Sequence, residues 1–164
     1  MIYKIRVIFD SKEDIFRDIA IDANDTLEDL HNAITNSFGF EGNEMASFYM
    51  SDELWEQGNE IPLFDMSEGL VQNPSMSNTT LASVFPNKND RMLYVYDFLS
   101  MWTFFVELFE IEEPESGVTY PVVTTVFGQL PENAPEKEFI AENEFDEDEE
   151  DYDDGAFDEY DYYN

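Results

Sequence analysis

The segment MLYVYDFLSMWTFFVELFEIE, from Met92 to Glu112, decides the fold and holds most of the apolar density of the chain. Read with the period of two of a β-strand, Phe104 and Val106 fall on one face, and Phe105 and Phe109 fall on the other. A strand that is apolar on both faces belongs in the middle of a sheet and is covered on both sides. The segment therefore predicts the centre of the fold.

The same segment predicts a long hairpin. Residues 92–99 alternate like the residues that follow, and Ser100-Met101 has the length of a tight hairpin loop. Two long antiparallel strands are therefore expected to form the spine of the sheet. Alternation or β-branched composition predicts further strands at residues 3–9, 15–21, 46–51, 60–64 and 120–127.

A helix is predicted over residues 26–37. Asp25 is placed as its N-cap with Glu28 reaching back in a capping box, and Gly39 sits where a left-handed residue ends a helix. The apolar stripe runs through Leu27, Leu30, Ile34 and Phe38. An N-terminal β-hairpin followed by a helix is a β-grasp-like opening. The expected fold is α+β, with a mostly antiparallel sheet and a long central hairpin.

The charge of the chain is strongly negative and unevenly distributed. The net charge is −32, and residues 142–164 contain 13 acidic and no basic residues. This segment predicts a disordered acidic tail, and residues 1–141 form the predicted domain. That domain still carries a net charge of −19. Such a field repels nucleic-acid backbones and anionic membranes, so the expected partner is a basic protein.

Composition also excludes several kinds of chemistry. The chain has no cysteine and a single histidine, His31, which excludes disulfides, thiolate sites, histidine triads and two-histidine metal sites within one chain. The acidic run before Gly155 does not match the ligand spacing of an EF-hand. No metal or cofactor is predicted. The chain shows no secretory leader and no membrane-spanning run, so a soluble cytoplasmic protein is expected.

Several segments resemble the plasmid pRiA4b ORF-3-like family. The resemblance rests on TLEDLHNAITNSFGF at residues 26–40, on Tyr96-Asp97-Phe98 followed by Trp102, and on Tyr120-Pro121. It covers about residues 1–131. The family implies an α+β fold and no established activity.

The chain departs from the family pattern at four polar places, one of which is the histidine or lysine that usually follows the tryptophan and is replaced here by Thr103-Phe104. Leu99-Ser100-Met101 stands where the family usually has Gly-Asp-Asp, and Met45-Ala46-Ser47 stands where a histidine is usual. The family's Pro-Pro-Glu-Asp segment is reduced to residues 130–133, Leu-Pro-Glu-Asn. The resemblance therefore implies that any function carried by those polar residues is lost or changed here.

Four residues are candidates for a binding site: Asp97, Trp102, Tyr96 and His31. His31 lies beside the apolar stripe of the helix, which favours a structural role for its ring. Asp97 interrupts an apolar segment, where a buried carboxylate needs a donor. Pairing of Asp97 with Arg91 or with backbone amides is the simpler reading, and a catalytic carboxylate is the alternative.

The leading hypothesis is a non-enzymatic interaction module whose acidic surface and tail bind a basic partner. In the tail, aromatic residues interleave with the acids, which is typical of a segment that folds on binding. The candidates for this contact are Phe145, Tyr152, Phe157 and Tyr160. The alternatives are a small-ligand binder or hydrolytic enzyme with a cleft near Asp97 and Trp102, and a DNA mimic.

Overall fold

The computed structural model describes residues 1–65 and 73–135. Residues Met1–Ala134 form one unit. The predicted tail and its aromatic residues lie outside the described residues. The elements in chain order are β1 (Ile2–Phe9), β2 (Phe16–Asp22), α1 (Leu27–Phe38), β3 (Ala46–Met50), β4 (Glu60–Pro62), a 3-10 turn (Met76–Asn78), α2 (Leu81–Val84), β5 (Arg91–Tyr96), β6 (Trp102–Glu112) and β7 (Val122–Phe127).

The described strands form one sheet in the order β4-β3-β5-β6-β1-β2-β7, and every neighbouring pair is antiparallel. Strand β6 is the fourth of the seven, between β5 and β1, so its predicted central position is confirmed. The α+β class with a mostly antiparallel sheet is also confirmed. The N-terminal hairpin and the helix are present, but the β-grasp-like arrangement is not confirmed by this strand order.

The two faces of β6 differ in burial. Phe104 and Val106 are fully buried in the core, to which both described helices contribute, whereas Phe105 and Phe109 are half-buried. On this second face, the Trp55 ring lies 4.9 Å from the ring of Phe105. The prediction that both faces are covered is therefore only partly met, because the described helices cover the first face alone. Within the described chain, long side chains shield the second face instead.

The loop of the central hairpin is longer than predicted. It spans residues 97–101, because Asp97 and Met101 both adopt positive φ values, 65° and 61°. The Asp97 Oδ1 atom accepts hydrogen bonds from the backbone N–H groups of Leu99 and Ser100 at 3.1 and 3.4 Å. This side-chain turn ends β5 early. Leu99 is consequently 98% exposed instead of continuing the strand.

The capping box of α1 lies one residue later than predicted. The Thr26 Oγ1 atom accepts from the backbone N–H of Asp29 at 3.2 Å, and the Asp29 carboxylate accepts from the backbone N–H of Thr26 at 2.9 Å. The predicted cap, Asp25, instead uses its backbone carbonyl to accept from the N–H of Leu81 at 2.8 Å. The helix end is confirmed, since Gly39 has a φ of 82°.

The second helix, α2, is a single turn. Thr80 precedes it as N-cap, and both Leu81 and Val84 are buried. Their side chains join the core cluster that also contains Met76 from the 3-10 turn. The single turn of α2 therefore extends the core beyond the region that α1 covers.

Candidate functional site

A cleft of about 780 Å³ opens beside the central hairpin loop. Four parts of the chain line it: the end of α1 and the loop after it, the β5–β6 hairpin, the end of β7 with the segment that follows it, and one residue of β2. The lining residues are Arg17, residues 36–41, Asn43, Tyr96, Asp97, Trp102, Val126 and residues 128–132.

Aromatic rings form one wall of the cleft. The Phe40 ring is stacked on Tyr96 with centroids 4.5 Å apart and lies 5.3 Å from Trp102. The helix end positions it: the left-handed Gly39 reverses the chain, and the N–H of Phe40 then donates to the carbonyl of Thr35 at 2.9 Å. The left-handed glycine that ends the helix therefore also positions the aromatic wall.

Arg17 brings a buried positive charge to the cleft. Its side chain is 6% exposed, and its guanidinium lies 4.5 Å from the centroid of the Phe38 ring. Nε donates to the carbonyl of Ser37 at 3.0 Å. Nη1 lies 2.9 Å from the Phe16 carbonyl and 3.1 Å from each of the carbonyls of residues 127 and 128. Burial lowers the pKa of Arg17 from its ordinary value.

Asp97 is held by the backbone of its own loop. Its carboxylate accepts from the loop amides described above, and its N–H donates to the Met45 carbonyl at 2.8 Å. The predicted pairing with backbone amides is confirmed, and the alternative pairing with Arg91 is wrong. Arg91 lies too far into β5 and forms its ion pair with Glu107, at 3.5 Å.

His31 lies in the core and does not line the cleft. It is 2% exposed, and its Nδ1 lies 2.6 Å from the hydroxyl oxygen of Tyr94. Burial lowers the pKa of His31 to about 4, so the ring is neutral at pH 7. Its ring centroid is 6.4 Å from that of Tyr96. Of the four candidate residues, the structure brings Tyr96, Asp97 and Trp102 together in the cleft and leaves His31 in the adjacent core.

Sequence reasoning missed Arg17 and the aromatic residues at the end of α1 as cleft residues. A signal for Arg17 was present: it occupies an inward position of β2, flanked two residues away by Ile15 and Ile19, which are 2% and 0% exposed. A cation on the apolar face of a strand needs either buried partners or an opening. Phe40 had no comparable signal, because its place in the wall depends on a contact with β5.

Among residues 1–65 and 73–135, no group of three or more histidine or acidic side chains is placed to hold a metal ion. No helix in this part of the chain is long and apolar enough to cross a membrane.

Fold and cleft together define the class: an α+β protein with a seven-stranded antiparallel sheet and a lateral cleft formed by chain segments distant in sequence. The chain belongs to the plasmid pRiA4b ORF-3-like protein family, whose sequence profile matches residues 1–160.

A solved structure supports the fold. The chain is similar to MM3350, a protein of unknown function from Methanosarcina mazei Go1, with a TM-score of 0.63 and 26% sequence identity. The match covers 76% of this chain and 68% of that one. Among curated proteins, none matches the chain.

Proposed function

We propose that the protein is a binding module for a small ligand, held in the cleft beside the central hairpin. One observation carries the proposal: two of the segments on which the family resemblance rests meet in this cleft. They are the helix end at residues 38–40 and the Tyr96-Asp97 pair with Trp102, and residues 130–132, where the chain departs from the family pattern, line the same cleft. A cleft with an aromatic wall and a few polar groups is typical of a ligand site.

Binding, rather than hydrolysis, is the better-supported activity of this cleft. The carboxylate of Asp97 is engaged by two amides of its own loop, which supports a structural role for that side chain. Ser37, the serine that lines the cleft, donates its hydroxyl proton to the Ile34 carbonyl at 2.9 Å. Both side chains therefore serve the scaffold that shapes the cleft.

The proposal is tested by screening a set of small molecules against the ¹⁵N-labelled full chain by NMR. Ligands of the cleft are expected to shift the indole signal of Trp102 and the amide signals of Gly39 and Gly128. The indole of Trp55 serves as an internal control, because Trp55 packs on the second face of the sheet against Phe105. If compounds bind to the chain but none of them shifts the signals of Trp102, Gly39 or Gly128, the proposed function is wrong.

A pair of matched variants locates the binding. Phe40→Ala removes a ring from the aromatic wall, and Phe98→Ala removes an exposed ring from the neighbouring loop. Phe40→Ala should weaken the binding of a cleft ligand by about tenfold or more, whereas Phe98→Ala should leave it unchanged. Equal effects of the two variants would contradict a site in the cleft.

The distribution of charge favours a second function, the binding of a basic protein. In the described chain, four of the cations are in ion pairs, and Arg17 is buried. The pairs are Lys4–Glu112, Arg6–Asp18, Lys88–Glu110 and Arg91–Glu107. These contacts neutralise few of the acidic side chains, and the remaining acids supply a negative field for a cationic partner.

The second function is tested by a pull-down from cell lysate with the full chain and with a chain ending after Ala141, each at low and at moderate salt. A basic protein retained only by the full chain, and released as salt rises, would identify the tail as the recognition segment. Retention by neither chain would refute the basic-partner proposal. Displacement of a DNA-binding protein from its DNA would favour the DNA mimic instead.

A further inference from the structure

The guanidinium of Arg17 is incompletely used by the described residues. Nε and Nη1 donate to four backbone carbonyls, from Ser37, Phe16, Phe127 and Gly128, whereas Nη2 has no hydrogen bond to any described residue. Arg17 is more than nine-tenths buried and lines the cleft. Nη2 is not among the fully buried polar atoms that lack a partner, so this donor is accessible to solvent.

The charge of Arg17 is also unusual in this chain. The three ion-paired cations of the sheet, Lys4, Arg6 and Arg91, each lie within 4 Å of a carboxylate, but no described carboxylate forms an ion pair with Arg17. Carbonyl oxygens solvate a guanidinium without neutralising it. A buried cation without a counter-ion is costly, and an anion that enters the cleft removes part of that cost.

We propose that Arg17 anchors the carboxylate of a small ligand with a flat aromatic body. This inference rests on the proposed ligand-binding function and adds the chemical class of the ligand. The carboxylate accepts a charge-assisted hydrogen bond from Nη2 of Arg17, and the ring packs on the wall formed by Phe40 and Trp102.

The edge of the cleft limits the charge of the ligand. Glu41, Asp97 and Glu132 line the same cleft, so a doubly charged anion such as inorganic phosphate meets like charges there. A carboxylate carries a single negative charge and keeps the contact with Arg17 at a lower electrostatic cost. A carboxylate is therefore favoured over a phosphate group.

The test compares three probes of the full chain: phenylacetate, phenylacetamide and inorganic phosphate. The chain contains three arginines, Arg6, Arg17 and Arg91, so ¹⁵N-arginine labelling gives few guanidinium signals to assign. Phenylacetate should shift the signals of Arg17 together with the Trp102 indole, without shifting those of Arg6. Phenylacetamide should bind at least about tenfold more weakly, because its neutral amide oxygen accepts a weaker hydrogen bond from Arg17 than a carboxylate does.

Two variants accompany the probes. Arg17→Lys keeps the charge but changes the donor geometry, and it should lose most of the preference for phenylacetate over phenylacetamide. Lys12→Gln removes one positive charge at an exposed position and should keep the full preference, which shows that the preference depends on Arg17 and not on the net charge of the chain. The preference for phenylacetate over phenylacetamide is also measured on the unaltered chain, so this part of the test does not depend on whether Arg17→Lys folds.

The outcomes separate this inference from the proposed function. If both organic probes shift Trp102 equally and the Arg17 signals do not move, the anchor is wrong and the ligand-binding function stands. If phosphate alone shifts the Arg17 signals, the aromatic carboxylate is the wrong class. If phenylacetate shifts no cleft signal at about 10 mM, a concentration at which even weak fragments bind, the inference is overturned.

Discussion

Neutral His31 should make the stability of this fold depend on pH in a defined window. His31 is buried, and its Nδ1 lies 2.6 Å from the Tyr94 hydroxyl. Burial raises the pKa of Tyr94 well above its ordinary value, so the hydroxyl keeps its proton and forms a hydrogen bond with the Nδ1 of the neutral ring. Protonation of His31 would place a charge in the core.

The magnitude follows from linkage. The pKa of His31 is lowered from 6.5 to about 4 in the folded state, so below pH 6.5 the unfolded state binds the proton first. Acidification therefore destabilises the fold progressively between pH 6.5 and about 4, and the loss levels off below that. The loss between pH 7 and pH 5 is about 2 kcal/mol, and it approaches about 3 kcal/mol at pH 4.

Urea unfolding of the full chain at several pH values measures this loss. Many carboxylates titrate in the same range, so the useful quantity is the difference between the unaltered chain and His31→Gln, whose amide oxygen can still accept from Tyr94 but does not titrate. The urea midpoint of the unaltered chain should fall by about 1 M relative to the variant between pH 7 and pH 5.

An independent measurement uses the fact that the chain has one histidine. Its ring signal in the NMR spectrum should titrate with a midpoint near pH 4. A midpoint near 6.5, or a stability difference between the chain and His31→Gln that stays flat from pH 7 to 4.5, would refute the neutral buried histidine.

Four further substitutions, one of them a control, test the fold. Thr26→Ala should cost about 1 kcal/mol in urea unfolding, because it removes the side-chain oxygen of the capping box; a neutral result would contradict the assigned cap. Gly128→Ala should destabilise by more than about 1 kcal/mol, because Gly128 has a φ of 78° and an added Cβ would lie 2.8 Å from the Asp14 carbonyl oxygen; thermal melting measures it. Phe104→Ala should cost about 3–5 kcal/mol, whereas Leu99→Ala should change stability by less than about 0.5 kcal/mol, and similar losses for both would contradict the burial assigned to them.

Features that depend on local pattern could be predicted from the sequence. The period of two located β6 at the centre of the sheet, and the stripe before Gly39 located α1, because burial of one face repeats with the geometry of the element itself. The cap was wrong by one residue because Asp25 with Glu28 and Thr26 with Asp29 both satisfy the capping pattern. Tertiary contacts decide between them, since the Asp25 carbonyl is used by α2.

The cleft could be predicted only in part for the same reason. Tyr96, Asp97 and Trp102 lie within seven residues, so their proximity follows from one hairpin. The position of Arg17 depends on the pairing of β2 with β7, in which Phe16 faces Phe127, and no local pattern specifies that pairing. Residues that meet through distant strand pairings are therefore the ones that sequence reasoning missed.

The two proposed binding activities predict opposite effects of salt. A basic partner is attracted by the net negative charge, so added salt screens the attraction and weakens binding. A carboxylate is repelled by the same charge on its way to the cleft, while its contact with the buried Arg17 is screened much less. Its affinity should therefore stay constant or rise as the salt concentration increases from about 0.01 to 0.15 M, a range over which the Debye length falls from about 30 to 8 Å. Because a surface contact and a buried anchor respond differently, weakening of phenylacetate binding by salt would place the carboxylate on the protein surface instead of at Arg17.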